Sequence, residues 1–233
     1  MEHGYLVWLR KPGFGLADRD FANAAVYSME TRYAEYLKNK QSTVVQGGSS
    51  LTNPDDPADQ RNIYLCVKAD STAASLLDVL DRQSSRAAFF CTQEFLETQG
   101  DLLRRMIATG HTVGLLADAA QEALTVEEQL SAGNMALYRA TCTKTRFALV
   151  ENSEQEDVTA AEEAGFQCFF PELDRSAYGL RSSANADTLL RRIAARRDDT
   201  TVWLGDAVNS TGLRAFLAAV ESGAQCLALT ETA

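Results

Sequence analysis

The chain has 233 residues, 45% of them hydrophobic and 23% charged, and a formal net charge of −10. This is an ordinary globular composition, and a chain of this length buries roughly 70% of its extended surface without a disulfide or metal staple. It excludes collagen, coiled coil and wholesale disorder, and no apolar run approaches the ~18 residues of a membrane span. Sequence-independent nucleic-acid binding needs a basic stripe. The single basic grouping, Arg191-Arg192 with Arg196-Arg197, reads as one polar helix face amid acidic residues, so no nucleic-acid partner is expected. Met1-Glu2-His3-Gly4 has no basic n-region and Tyr5–Leu9 is too short for a signal peptide, so the chain as it stands reads as soluble.

In chain order, Ala22, Ala25, Val26, Met29, Tyr33 and Leu37 recur at helical spacing and predict a helix over about 20–37. Residues 38–62, with Gly47-Gly48-Ser49-Ser50 and Asn53-Pro54-Asp55-Asp56-Pro57, have linker composition. A leader with its linker over 1–61 and a main domain over 62–233 are therefore expected.

From Ile63 onward the chain alternates. Strand-length apolar runs are expected at 63–67, 87–90, 112–116, 146–150, 167–170, 201–204 and 225–229. Helical patterns lie between them: Ala73/Leu76/Leu77/Leu80, Leu102/Leu103/Met106/Ile107 stopping at Gly110, Ala186/Leu189/Leu190/Ile193, and Leu213/Phe216/Leu217/Val220 ending at Gly223. Thr125 to Glu128 and Ser153 to Glu156 read as capping boxes at helix starts. Such alternation implies a parallel sheet covered by helices, with ligands met at the carboxyl ends of the strands. Periodicity leaves an open sheet and a distorted barrel both standing.

The five cysteines are scattered and form no C-x-x-C pair. Buried thiols acting as small hydrophobes are expected, with one disulfide between neighbouring strands left open. With two histidines, His3 and His111, the chain can barely assemble a catalytic zinc site.

The segment from Arg86 to Gly114, with Ala87-Ala88-Phe89-Phe90 and Asp101 to Gly110-His111-Thr112-Val113-Gly114, resembles the polysaccharide deacetylase family, the NodB homology domain. The helix at Ala73–Arg82 and the tail Trp203-Leu204-Gly205-Asp206 followed by Leu213–Gly223 extend the resemblance to about residues 62–230. It implies an α/β fold, a distorted (β/α)7 barrel. It also implies metal-dependent N-deacetylation of amino-sugar polymers such as chitin-like chains and peptidoglycan. In that chemistry a metal polarises the amide, a carboxylate acts as base and a histidine as acid.

The residues for that chemistry are missing at the matching places. Cys66-Val67-Lys68-Ala69-Asp70 stands where the family has T-F-D-D-G, so Lys68 replaces the base and Ala69 a metal ligand. Asp70 falls where N-capping is its ordinary role. Leu116 and Ala120 occupy the two metal-histidine places, and His111 belongs to the strand entry, where a hydrogen-bonded structural role is expected. Arg146 matches the family's motif arginine, with Asp70, Glu151, a ligand anion or a surface salt bridge as its expected partner. Cys168–Glu172 carries neither the aspartate nor the tryptophan that steadies the acid, and Leu204-Gly205-Asp206 has glycine in place of the acid itself.

These losses imply a pseudoenzyme of cell-envelope type with no catalytic residue, no metal and no cofactor. It would bind a glycan or a protein partner. Candidate ligand-binding residues at the strand ends are Lys68, Asp70, Asp118, Arg146 and Asp206. The alternatives are a metal-independent hydrolase of amide C–N bonds built on those residues, or a structural interaction domain. Exposed aromatics at the strand ends would favour a glycan; Trp203, Phe170 and Tyr178 are the candidates.

Overall fold

The structure, a computed structural model, describes residues 61–196, 198–220 and 224–229. The expected helix over 20–37, the linker, the domain boundary at 61/62, Arg197 and the helix stop at Gly223 lie outside the described residues or on their edge.

The elements are β1 (Arg61–Lys68), α1 (Ala73–Arg82), β2 (Ala88–Cys91), α2 (Gln93–Thr98), α3 (Gly100–Ala108), β3 (Thr112–Asp118), α4 (Val126–Thr141), β4 (Phe147–Glu151), α5 (Gln155–Glu163), β5 (Gln167–Cys168), β6 (Leu173–Asp174), α6 (Ser183–Ala194), β7 (Thr200–Trp203), α7 (Ser210–Ala219) and β8 (Ala224–Cys226). The strands form one sheet in the order β5-β4-β3-β2-β1-β7-β6, with β8 also pairing β1. Every pairing is parallel. The sheet curls into the expected distorted barrel with helices outside. Its two edge strands, β5 and β6, follow one another in the chain yet are not paired, which leaves a seam. Neither β6 nor α2 was legible in the hydrophobic pattern. A two-residue strand offers no periodicity to read, and α2 carries only two buried apolar residues, Phe95 and Leu96.

Alternate residues of each strand face opposite ways. Ile63, Leu65, Val67, Phe89, Leu115, Ala148 and Val202 pack with the helices in the large outer core. Cys66, Ala88, Phe90, Leu116, Leu149 and Trp203 form a second core inside the curled sheet, joined by Tyr64, Phe147, Phe169 and Leu229. Burial of both faces is why these strands read as unbroken apolar runs. Phe90 organises the inner core. It stacks on Phe169 with ring centroids 5.5 Å apart and meets Trp203 edge-on at 5.7 Å. Gly114 makes room for it, since a Cβ there would lie 2.7 Å from the Phe90 ring.

Thr125 and Glu128 form the expected capping box at the start of α4. The second expected box, Ser153 with Glu156, is corrected. Asn152 turns the chain out of β4 at φ 53°, and the helix cap falls one residue later, at Glu154, whose N–H donates to Asp157 Oδ2 at 2.8 Å. The Ser153 hydroxyl donates instead to the Val150 carbonyl.

His111 has its expected structural place. Its Nδ1 accepts the Ala87 N–H at 3.2 Å, its ring meets Phe89 edge-on, and Nε2 faces Asp81 Oδ1 at 3.7 Å. Burial, and next the charge of Arg86, push its pKa below the ordinary value. All five cysteines are free thiols, so the open disulfide does not form. Cys66, Cys91 and Cys226 are buried. Burial raises all three thiols, that of Cys226 to about 12.

Candidate functional site at the strand ends

The inward positions of β1, β3 and β4 end in Lys68, Asp118 and Glu151, so the apolar interior gives way to charge at the carboxyl end. Backbone bonds hold the end of β1 in place: Lys68 N donates to Gly205 O at 2.9 Å and Ala69 N to Phe90 O at 2.8 Å. From there the Lys68 side chain reaches past β2 and β3, and its Nζ donates to Glu151 Oε2 at 2.6 Å. Both side chains are about one-third exposed or less. Asp118 accepts hydrogen bonds from Asn152 Nδ2 at 2.8 Å and from Ala120 N at 3.0 Å. These bonds, in that order, and then the nearby Lys68 charge hold its carboxyl below the usual range. Gln129, buried on α4, bonds both backbone groups of Asp118 at 3.0 Å and so anchors the end of β3.

Two cavities open here. One, of 440 Å³, lies at the seam and is lined by Glu151, Asn152, Phe169, Phe170, Asp174 and Trp203 among others. The second, of 320 Å³, is lined by Lys68, Glu94, Glu97, Leu116, Asp118 and Glu151 among others. Glu151 borders both. Phe170 and Tyr178 are 64% and 69% exposed, whereas Trp203 is buried with only its cavity edge open.

The structure thus brings together two of the five residues expected at the site, Lys68 and Asp118. Asp70 accepts the Thr72 N–H and hydroxyl at 2.7 and 2.6 Å, a local turn just ahead of α1 whose N-cap is Thr72, so the expected N-capping by Asp70 is corrected. Asp206 is exposed on the turn after β7 and lines neither cavity. The expectation for Arg146 is corrected. β4 runs over 147–151, so Arg146 precedes it, at the amino end of a parallel sheet and away from the site. There its Nε donates to the Gly165 carbonyl at 3.0 Å. Glu151 pairs with Lys68 instead.

Glu151 was not picked out as a site residue. The signal that finds it is parity, since Phe147, Leu149 and Glu151 share one face of β4 and the last stands at its carboxyl end. Gln129 and Asn152 carried no such signal, because helix and loop geometry bring them to the mouth, and Asp174 stands on a two-residue strand too short to show parity.

The donor set does not fit a divalent metal. Leu116 is buried in the inner apolar core, Ala69 is buried and Ala120 is exposed, and none offers a lone pair. A lysine ammonium already sits against the one carboxylate that borders both cavities. Among the described residues no group of three histidine, cysteine, aspartate or glutamate side chains is placed to hold a metal. Gly205 adopts φ 57°, a backbone region that side chains rarely enter, and a Cβ there would lie 3.0 Å from Ser176 Cβ. The arrangement offers hydrogen-bonding and charged groups beside aromatic surface. The Ser176 hydroxyl donates to Asp174 Oδ1 at 2.7 Å, and among the described residues no histidine lines either cavity.

Residues 55–168 match the family model described as polysaccharide deacetylase. No curated protein matches the chain by sequence. Among solved structures, the polysaccharide deacetylase Bc1974 from Bacillus cereus is similar at 16% identity, over 75% of this chain and 94% of that one, with a TM-score of 0.62. A family 4 carbohydrate esterase from Streptomyces lividans in complex with acetate is 13% identical over 73% and 92%, with a TM-score of 0.60. A BA3943 mutant described as a CE4 family pseudoenzyme with restored enzymatic activity is 18% identical over 76% and 68%, with a TM-score of 0.58. At these identities the likeness is one of fold. Among the described residues no helix is long and apolar enough to cross a membrane.

Proposed function

This chain belongs to the polysaccharide deacetylase family, and from that premise we propose that its domain binds an amino-sugar polymer of the cell envelope without removing the acetyl groups. The observation that carries this reading is the Lys68–Glu151 ion pair, 2.6 Å long and set at the strand ends. By family resemblance Lys68 stands at the place of the general base. An ammonium ion held against a carboxylate has no lone pair with which to take a proton from water. The buried Leu116 and the glycine at 205 support the same reading, for neither binds a metal nor donates a proton. The seam cavity, with Phe170 exposed on its rim and Trp203 at its edge, suits a sugar ring rather than a flat protein surface. The similarity to a CE4 pseudoenzyme supports the view that this fold exists without the activity.

The test joins three measurements on the full chain. Zinc at a hundredfold excess over a dissociation constant would raise stability by about 2.7 kcal/mol if a native site bound it; no such shift is expected. No acetate release from an N-acetylglucosamine oligomer is expected. Saturable binding of an amino-sugar oligomer, weakened by Phe170→Ala, is expected. Zinc-dependent acetate release would overturn the reading, and so would the absence of any oligosaccharide binding.

A further inference from the structure

We infer that the glycan bound at the seam carries free amines: the site prefers the de-N-acetylated, cationic form of an amino-sugar polymer over the acetylated form. This deepens the proposed function and rests on it. The cleft and its aromatic rim supply the site, and charge decides which form of the sugar enters.

The charge is one-sided. Among the described residues, the seam cavity is lined by two carboxylates, Glu151 and Asp174, and by no lysine or arginine. The adjoining cavity adds Glu94, Glu97 and Asp118 against one cation, Lys68. Among the described residues, five carboxylates therefore face one ammonium across the two cavities. Arg175 follows Asp174 in the chain, but its guanidinium lies over the Tyr178 ring, 4.8 Å from the centroid, and it lines neither cavity. Asp118 is held ionised by Asn152 and Ala120. Asp174 uses one oxygen, Oδ1, to hold the Ser176 N–H and hydroxyl, and among the described residues no hydrogen bond engages Oδ2.

The mouth also displays how it holds an amine. Lys68 is a primary ammonium that the site keeps at hydrogen-bond distance from Glu151. A glucosamine residue carries the same group on a ring whose apolar face can lie on Phe170. An N-acetyl group in that position offers a neutral amide, with one N–H donor and no charge, and leaves the carboxylates unbalanced. The ligand is then the product of an N-deacetylation. A separate hydrolase of that class must act on the polymer first, and this domain reads the result.

The experiment titrates the full chain with a fully deacetylated glucosamine tetramer and with its fully N-acetylated counterpart. It is run at about pH 5.5, above the usual carboxylate range. The deacetylated tetramer is expected to bind about tenfold more tightly, and that preference should shrink as salt is raised. Asp174→Asn should remove most of the preference while keeping the carbonyl oxygen that holds Ser176. Phe170→Ala should weaken both tetramers by a similar factor, because a ring face does not distinguish them. Equal or tighter binding of the acetylated tetramer by the wild type overturns this inference and leaves the proposed glycan binding standing. So does a preference unchanged in Asp174→Asn. Binding of neither tetramer overturns the proposed function, and the preference falls with it.

Discussion

Lys68 and Glu151 stand 83 residues apart in sequence with two strands between theirs in the sheet, yet their side chains close to 2.6 Å over the ends of β2 and β3. Under the correspondence proposed above, the pair places a fixed positive charge where a base and an open coordination position would stand. Breaking it by Lys68→Met leaves Glu151 partly buried and uncompensated. The expected loss is about 1–2 kcal/mol, read as a lower urea midpoint with an unchanged slope. Lys68→Met with Glu151→Leu should recover most of it, because two apolar groups leave no charge stranded. A neutral single variant would show that solvent already screens the pair.

The Phe90 ring occupies the space that a side chain at 114 would need. Gly114→Ala puts a methyl 2.7 Å from a fully buried ring that is held by Phe169 and Trp203. Overpacking of this kind costs about 1–3 kcal/mol. Adding Phe90→Leu should relieve the clash and return part of the loss, measured by thermal or urea unfolding. Additive destabilisation by the two substitutions would mean that the ring has room to move.

His111 supplies a pH dependence. Its folded pKa lies below the ordinary 6.5, chiefly because it is buried. The native state keeps the ring neutral while the unfolded chain protonates it as pH falls through about 6.5. Stability is therefore highest above that value, declines as pH drops below it, and levels off once pH passes the folded value. Urea midpoints from about pH 7.5 to about pH 5 should show this decline in the wild type. His111→Gln can still accept the Ala87 N–H and should lose the slope. A slope unchanged in the variant would assign it to other groups.

Restoring the family's ligands tests the strand-end correspondence. Ala69→Asp, Leu116→His and Ala120→His supply three donors. With Lys68 in place, its ammonium competes for the same space and repels a dication, so zinc binding by titration calorimetry is expected only when Lys68→Asp is added. Leu116→His should lower stability by about 2–3 kcal/mol, since it puts an imidazole into the inner apolar core. Gly205→His adds a left-handed side chain at a further cost of about 1–2 kcal/mol, and little or no deacetylation is expected to follow. A well-folded quadruple variant that binds no zinc would show that Ala69, Leu116 and Ala120 do not converge.

Much of this protein could be read from the sequence alone. Alternating apolar strands and amphipathic helices specify a parallel sheet covered by helices, because burial on two faces leaves a continuous hydrophobic run that needs no knowledge of partners; its curling into a barrel was implied by the family resemblance alone. That positions 69, 116 and 120 carry no metal donor was equally readable, since a leucine or alanine has no lone pair wherever it folds. The box at Thr125 and Glu128 was legible because a helix cap is a local arrangement spanning four residues. The tertiary structure decided what depends on register and strand order. A shift of one residue in the bounds of β4 puts Arg146 at the far end of the sheet and Glu151 at the mouth. The order β4-β3-β2-β1 then sets Lys68 against Glu151 rather than against Asp70 or Asp206. β6 is too short to leave a pattern, yet its failure to pair with β5 leaves the seam whose cavity Asp174 and Phe170 both line. Periodicity reports which face a residue takes. Only the folded backbone fixes which distant residue lies opposite.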